Sequence, residues 1–390
     1  MRIGIDACTW ANRRGYGRFT RMLVTTMIAD HPQHEFVLVI DQHTAAQCQF
    51  PARAKIVVVP LDQQPTEAAS ADGARGPGDL WKLSRAVSRL KFDAFFFPTS
   101  YSFYPLFCRT PAAIVFHDAI AEQHPKLIFP GWRSRFFWQL KSWLARRRAQ
   151  RVVTVSEDAR KQLAEVFKIA PSAIEVISEG PDPCFQPQVN PPAAPTLLAQ
   201  HKIPAGVPLM LYVGGISPHK NLQGLLKGTA GVAHLPWHLV LVGDYKKDGF
   251  FGCYQEVLEL ARTLGLADRV TFTGFISDED LVVLCNVSTL LVLPSFSEGF
   301  GLPVIEAMAC GLPVAASNRN SIPEIVGDAG LLFDPLDPAQ ITTAVSRLLT
   351  DATLRADMRA KGLKRAEVFS WKSGARKMVT ILEEAGRGTG

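Results

Sequence analysis

The stretch Pro294-Ser295-Phe296-Ser297-Glu298-Gly299-Phe300-Gly301-Leu302-Pro303-Val304-Ile305-Glu306-Ala307-Met308-Ala309-Cys310-Gly311-Leu312-Pro313-Val314 reads as the end of a strand, a turn and a helix in immediate succession. An apolar run, Thr289 to Leu293, stops at Pro294, a glycine-containing turn follows, and Pro303 stands in the first helical turn, where a missing N–H is tolerated. Gly299 and Gly301 leave the backbone bare at the helix start, where free amides and the helix dipole together attract phosphate. Glu298 stands just before that helix and Glu306 about one turn inside it. Carboxylates suit phosphate poorly, but they accept hydrogen bonds from sugar hydroxyls on either side of an anion site. Either glutamate alone would equally suit the capping and solvation of a helix; the whole string points to a ligand.

Outward from this stretch, short β-branched apolar runs alternate with helical patterns along the whole chain, the mark of parallel sheets wound with helices on both faces. The fold class is α/β, and 390 residues exceed what one core organises, so two domains are expected. In the first half the candidate strands are Arg2 to Ala7, Phe36 to Ile40, Lys55 to Val59, Ala94 to Phe97, Ala113 to Phe116, Arg151 to Val155 and Ile174 to Ile177. In the second they are Leu209 to Val213, His238 to Val242, Arg269 to Thr273, Thr289 to Leu293, Pro313 to Ala315 and Gly330 to Phe333. Pro187, Pro191, Pro192, Pro195 and Pro204 suggest a semi-rigid connector. The expected division is therefore 1–185, a linker at 186–207, and 208–370, with a last helix at 371–390 packing back on the first domain. The segment Asp62 to Asp79 has no hydrophobic period and reads as a mobile loop.

Composition narrows the function classes. Hydrophobic residues make up 47% and charged residues 20%, which is globular rather than disordered. No run reaches the roughly 20 apolar residues of a spanning helix, and the start Met1-Arg2-Ile3-Gly4-Ile5-Asp6 does not read as a signal peptide, so a cytoplasmic location is expected. Seven scattered cysteines without a C-x-x-C pair read as reduced thiols rather than a zinc site or disulfide framework. The net charge of +6 belongs to the first half: 24 Lys and Arg face 17 Asp and Glu through Phe185, against 18 and 19 beyond it. Such a half suits nucleic acid, an anionic membrane or a phosphorylated substrate. No nucleic-acid-binding signature is present, which excludes the first.

The Pro294–Val314 string resembles the E-x7-E motif of the family 4 retaining glycosyltransferases, and the resemblance covers nearly the whole chain, most specifically Leu211 to Asp334. It implies the GT-B fold: two Rossmann-like domains whose parallel sheets face a deep inter-domain cleft. By resemblance, Glu298 holds hydroxyls of the transferred hexose, Glu306 holds the ribose, and Gly299, Phe300, Gly301 and Leu302 offer backbone to the donor. In Leu211-Tyr212-Val213-Gly214-Gly215-Ile216-Ser217-Pro218-His219-Lys220-Asn221, Lys220 matches the family's diphosphate lysine. Many members carry an arginine where Gly215 stands here, which weakens that clamp. Phe275 and Ile276, after Gly274, match the loop lying against the nucleobase. A strand-to-helix turn capped by Ser277 or Asp278 is equally compatible there. Asp278-Glu279-Asp280 reads as the acidic first turn of a helix rather than a metal site.

In the first half, Ala113-Ile114-Val115-Phe116-His117-Asp118 ends a buried strand with two polar residues. The resemblance implies that His117 contacts the donor sugar near the reacting carbon, through its carbonyl or its ring. Asp118 would position the acceptor or cap its loop. Gly15-Tyr16-Gly17-Arg18 fails as a G-x-G-x-x-G fingerprint because Thr20 stands at the third glycine position, which argues against a nicotinamide dehydrogenase. By resemblance, Gly17 and Arg18 lie against donor phosphate and acceptor. Val155-Ser156-Glu157 and Glu179-Gly180-Pro181-Asp182 read as architectural. From Trp132 to Arg151 aromatic and basic residues alternate; the expectation is aromatics on the core and arginines in water, with a helix lying on an anionic membrane as the alternative.

These readings lead to a retaining, metal-independent hexosyltransferase acting on a saccharide or lipid-linked saccharide, with a GDP- or UDP-linked sugar as substrate and no cofactor. The glycine form of the Lys220 loop and the stretch from Ser317-Asn318 to Pro323-Glu324 resemble mannosyl- or rhamnosyl-transferring members of bacterial surface-polysaccharide pathways. That favours α-mannosyl transfer from GDP-mannose. A UDP-glucose glucosyltransferase, a nucleotide-sugar epimerase and an inactive sugar-nucleotide-binding protein remain open. The place of action is cytoplasmic, extending to the inner face of the membrane.

Overall fold

A computed structural model describes residues 1–12, 15–62, 76–129, 131–244 and 253–388. The chain divides into two units, Met1–Glu179 with Ser370–Gly390, and Gly180–Phe369.

The first unit is built on seven strands: β1 (Arg2–Asp6), β2 (Glu35–Asp41), β3 (Lys55–Val59), β4 (Ala94–Phe97), β5 (Ala112–Val115), β6 (Arg151–Thr154) and β7 (Ile174–Val176). They pair in the order β3-β2-β1-β4-β5-β6-β7, every pair parallel. The central strands are apolar on both faces, as in the fully buried Ala-Phe-Phe-Phe of β4, because helices cover both sides. The helix Gly15–Asp30 sinks Phe19, Leu23, Val24, Met27 and Ile28, a 3-and-4 spacing that forms one stripe. The C-terminal helix Trp371–Arg387 lies in this unit, with the Trp371 ring edge-on to Phe19 at 5.9 Å. The order of strands reverses between β1 and β4, so a crevice opens beyond their carboxyl ends.

The second unit repeats the plan with six strands: β8 (Leu209–Val213), β9 (His238–Val242), β10 (Val270–Gly274), β11 (Leu290–Leu293), β12 (Val314–Ser317) and β13 (Leu331–Phe333). Their order is β10-β9-β8-β11-β12-β13, again all parallel. The reversal falls between β8 and β11, whose following loops carry Lys220 and Glu298.

Three expectations need correction. The proline-rich stretch is no free connector: the chain passes from the first unit to the second between Glu179 and Gly180, and residues 186–207 belong to the second unit. It contains the helix Ala194–Gln200, buries Leu197 and Ile203, and is stitched down by Asn286, which accepts from the Gln188 amide (2.6 Å) and donates to the Gln186 carbonyl (3.0 Å). Proline rigidity here shapes a packed segment. Of the loop expected at Asp62 to Asp79, residues 63–75 lie outside the described residues, but Pro77–Asp79 open a helix, Pro77–Arg89. The third correction concerns the helix Trp132–Arg148. Only Trp138, Ser142 and Ala145 are buried, so the aromatics Trp132, Phe136, Phe137 and Trp143 face outward rather than the core.

Candidate functional site

In the second unit two loops converge because they leave adjacent strands. Chain leaving β8 turns at Gly214, whose amide donates to Val242 O (2.9 Å), and the Tyr212 hydroxyl donates to Gly215 O (2.7 Å). A 3-10 turn, Pro218–Lys220, follows. Chain leaving β11 runs through Pro294 to Gly301 and starts the helix Leu302–Ala309. Asn221 binds the loops together: its Nδ2 donates to Pro294 O (3.1 Å) and Pro335 O (2.7 Å), while its Oδ1 accepts from the Gly224 amide (3.2 Å), capping the next helix. The Phe296 amide donates to His219 O at 2.8 Å. Ser321 Oγ lies within 2.9 Å of both Glu298 O and Phe300 O, holding the turn from below.

On this frame Lys220 Nζ donates to both carboxylate oxygens of Glu298, at 2.7 and 2.8 Å, and Ser295 Oγ donates to Oε1 at 2.6 Å. The two side chains retain only 19% and 12% of their exposure. Burial pushes the Glu298 carboxyl up, but the Lys220 charge and hydrogen bonds, with Ser295 and His219, outweigh it and hold it below the ordinary glutamate value. A carboxylate and a cation therefore stand together in fixed orientation, a pair suited to gripping hydroxyls and a phosphate.

The helix start is shaped by Gly301, which sits at φ 111°, a conformation open to glycine; an added Cβ would also lie 2.7 Å from Ile322 Cδ1. No side chain caps this N-terminus; Pro303 has no amide to offer and the Val304 amide donates to Gly301 O (2.9 Å), so the amides of Gly301 and Leu302 are the ones an anion would meet. Leu302 and Phe300 are buried, Phe300 edge-on to Phe369 at 5.6 Å, and Gly299 is half-buried beside them. Glu306 is buried on the same helix. After β10, Phe275 is 46% exposed while Ile276 is buried, and Ser277 Oγ accepts from the Asp280 amide. Asp278, Glu279 and Asp280 fill the first turn of that helix. Among the described residues no three His, Cys, Asp or Glu side chains gather as a metal would require.

In the first unit, His117 follows β5, its ring held by a hydrogen bond from Nε2 to Pro98 O (3.0 Å) and edge-on to Phe19 at 4.7 Å. Donating from Nε2 fixes the neutral tautomer and turns Nδ1 toward Glu179, 3.9 Å away. Burial pushes the ring's pKa down to about 4, only partly opposed by the bond to Pro98. The ring is thus tethered through Nε2 and packed against Phe19. Asp118 Oδ1 accepts from the Ile120 amide (2.9 Å), the loop-capping option. Gly17 lies in the first turn of its helix, where an added Cβ would collide with the Asn12 carbonyl oxygen. Ser156 caps the helix Glu157–Phe167 through the Ala159 amide, as expected of an architectural segment.

The profile described as "Glycosyl transferases group 1" matches residues 194–365, and that described as "Glycosyltransferase Family 4" matches residues 14–184. The O-antigen chain mannosyltransferase B of Escherichia coli is 32% identical over 267 residues, 67% of each chain. The chain belongs to the family 4 glycosyltransferases. A second relative, the serotype-specific mannosyltransferase WbdA of Escherichia coli, is 31% identical over 58% of this chain, which spans only 28% of that larger protein. Among solved structures, sucrose-phosphate synthase from Thermosynechococcus elongatus superposes with a TM-score of 0.76 at 20% identity, covering 98% of both chains. Anabaena Alr3699/HepE in complex with UDP and glucose gives 0.74 at 18%, covering 98% of this chain and 99% of that one. The fold of the glycosyltransferase is GT-B, with two parallel-sheet Rossmann-like domains.

The structure thus brings Lys220, Glu298, Gly299, Phe300 and Gly301 to one place, with Gly215 at the base of the same loop. Sequence reading missed Asn221, Ser295 and Ser321. For Asn221 a signal existed, since a polar residue directly after Lys220 and before an apolar helical run suits an N-cap. For Ser321 there was none; it lies 23 residues from Glu298 and acts only through tertiary contact.

Proposed function

We propose that the protein is a retaining, metal-independent hexosyltransferase that moves a sugar, mannose from GDP-mannose in the first instance, to a saccharide or lipid-linked saccharide acceptor in bacterial surface-polysaccharide synthesis at the inner face of the membrane. The observation that carries it is the Lys220–Glu298 pair, in a single loop cluster beside an uncapped helix start. A nucleoside diphosphate laid on the amides at Gly301 competes with Glu298 for the Lys220 ammonium, and the released carboxylate accepts hydrogen bonds from the hexose hydroxyls. Glu306 accepts from the ribose, and Phe275 and Ile276 flank the base. The His117 carbonyl meets positive charge developing at the anomeric carbon, and Asp118 and Gly17 shape the loops toward the acceptor.

The bond from the anomeric carbon to the diphosphate oxygen breaks, and a bond to the acceptor hydroxyl forms on the same face. The departing oxygen takes the acceptor's proton, so the products are the glycoside and the nucleoside diphosphate. Lys220 and the helix amides stabilise the leaving charge, the work a divalent ion does in other sites. The mannosyl assignment draws on the two mannosyltransferase relatives.

The test is incubation with GDP-mannose, UDP-glucose and a mannosyl glycoside acceptor, with NMR of the product's anomeric proton. An α-mannoside is expected. Transfer only from UDP-glucose would replace the donor, a free sugar formed without acceptor would favour an epimerase, and an inverted anomer would refute retention.

A further inference from the structure

The helix Trp132–Arg148 turns its apolar surface the wrong way for a soluble protein. Its buried seam is narrow: Trp138, Ser142 and Ala145, one turn apart, with the Trp138 indole donating to Glu122 Oε1 at 2.9 Å. At 3.6 residues per turn, the positions lying roughly 120° to 260° around from that seam are Trp132, Trp143, Phe136, Arg147, Leu140, Arg133, Leu144 and Phe137 in angular order. Six of the eight are large apolar residues, and all six are exposed, Trp132 by 75% and Phe137 by 60%. An apolar arc pointing directly away from the core marks a binding surface rather than a packing face.

Its charge is equally one-sided. The helix carries five arginines and a lysine and no acidic residue. Arg146 and Arg148 are turned down onto backbone carbonyls of Phe167 and of Cys108 and Thr110, and Lys141 onto Tyr101 O. Arg133, Arg135 and Arg147 remain exposed; Arg133 lies over the Trp132 ring (5.5 Å) and Arg147 over the Trp143 ring (4.9 Å). A guanidinium over an indole face suits the headgroup layer, where the ring can sit toward the acyl chains and the cation at the phosphates.

We propose that this helix docks the protein on a bilayer rich in anionic phospholipid, with Trp132, Phe136, Phe137, Leu140, Trp143 and Leu144 entering the interface and Arg133, Arg135 and Arg147 meeting phosphate headgroups. A second copy of the chain suits the face less well. A two-fold contact through it would set these arginines against one another, with no carboxylate on the helix to answer them. The proposal gives a structural basis to the reading of action at the membrane face, and it stands independently of the donor.

The experiment is co-sedimentation of the full chain with vesicles of phosphatidylcholine alone and with added phosphatidylglycerol, at low and physiological salt. Donor turnover on a soluble acceptor is measured in parallel without vesicles. The expected result is at least tenfold more protein bound to the anionic vesicles, weakening as salt rises. Arg133→Gln/Arg135→Gln/Arg147→Gln removes the anionic preference. Phe136→Ser/Phe137→Ser/Trp143→Ser abolishes vesicle binding, and both variants keep wild-type turnover. Quenching of tryptophan fluorescence by brominated acyl chains, reduced in Trp143→Phe, reports insertion without relying on a multiple variant. No association with anionic vesicles, association that both variants retain, or a concentration-dependent dimer broken by the serine variant in place of vesicle binding would overturn the proposal. Vesicle binding without turnover would strike the proposed function and leave the docking helix standing.

Discussion

Removing Lys220 leaves a buried carboxylate without its counter-charge, and the size of the effect follows from the geometry. With Nζ 2.7 and 2.8 Å from the two oxygens, the charges attract by about 6 kcal/mol at an effective dielectric of ~20. Desolvation opposes this, and breaking a buried pair from one side typically costs about 3 to 5 kcal/mol. Because the side chains keep 19% and 12% of their exposure, the lower end applies: Lys220→Ala should destabilise the second unit by about 3 kcal/mol, about 1 M in the urea midpoint. Replacing the carboxylate as well, in Lys220→Ala/Glu298→Gln, removes the stranded charge while the amide oxygen still accepts from Ser295 Oγ, so most of the loss should return. Urea unfolding of the wild type, both single variants and the double variant closes the cycle, with a coupling of at least about 1.5 kcal/mol expected. Turnover behaves oppositely: Lys220→Ala loses at least tenfold and the double variant recovers none of it. A single variant within about 0.5 kcal/mol of wild type, or strictly additive effects, would refute the view that these groups hold each other in a desolvated site.

Other consequences are as specific. His117 is neutral in the fold down to about pH 4, while in the unfolded chain it takes a proton near pH 6.5, so the unfolded state binds more protons in that window. Stability of the first unit should therefore fall by about 3 kcal/mol as pH drops from 6.5 to 4. His117→Gln, which keeps a donor for Pro98 O, should flatten that part of the profile measured by pH-dependent unfolding. Gly17→Ala drives a methyl into the Asn12 carbonyl and should cost about 1 to 3 kcal/mol in urea unfolding. Gly301→Ala strains the helix start at φ 111° and crowds Ile322; nucleoside diphosphate affinity by calorimetry should fall at least tenfold. Asn221→Ala, which loses a helix cap and two bonds to Pro294 and Pro335, should lower thermal stability by about 2 kcal/mol and raise the donor KM as the Lys220 loop loosens.

The strands were legible because parallel sheets covered on both faces need continuous apolar runs, and all thirteen runs read from the sequence are strands in the fold. The Glu298 loop was legible because strand, glycine turn and helix start are local events written in consecutive residues. What failed was local reading of tertiary matters. Prolines at 187–204 announce stiffness but not whether the segment hangs free or packs, and Asn286, a hundred residues away, decides that. The Trp132–Arg148 helix has aromatics on both the seam and the arc, so periodicity alone could not say which face the sheet covers; the small Ser142 and Ala145 beside Trp138 decide it by allowing close approach. The Lys220–Glu298 ion pair was equally invisible, since the two residues stand 78 positions apart and meet only because β8 and β11 are neighbours.

The central claim is that a nucleoside diphosphate sits at the Gly301 helix start under the Lys220 cation. Calorimetric titration of GDP and UDP into the wild type and Lys220→Ala tests it directly. Micromolar binding of one nucleotide, weakened at least thirtyfold by the substitution, is the predicted result, about 2 kcal/mol for one buried charge-assisted contact. Binding of equal strength in both proteins, or of neither nucleotide to the wild type, would contradict it.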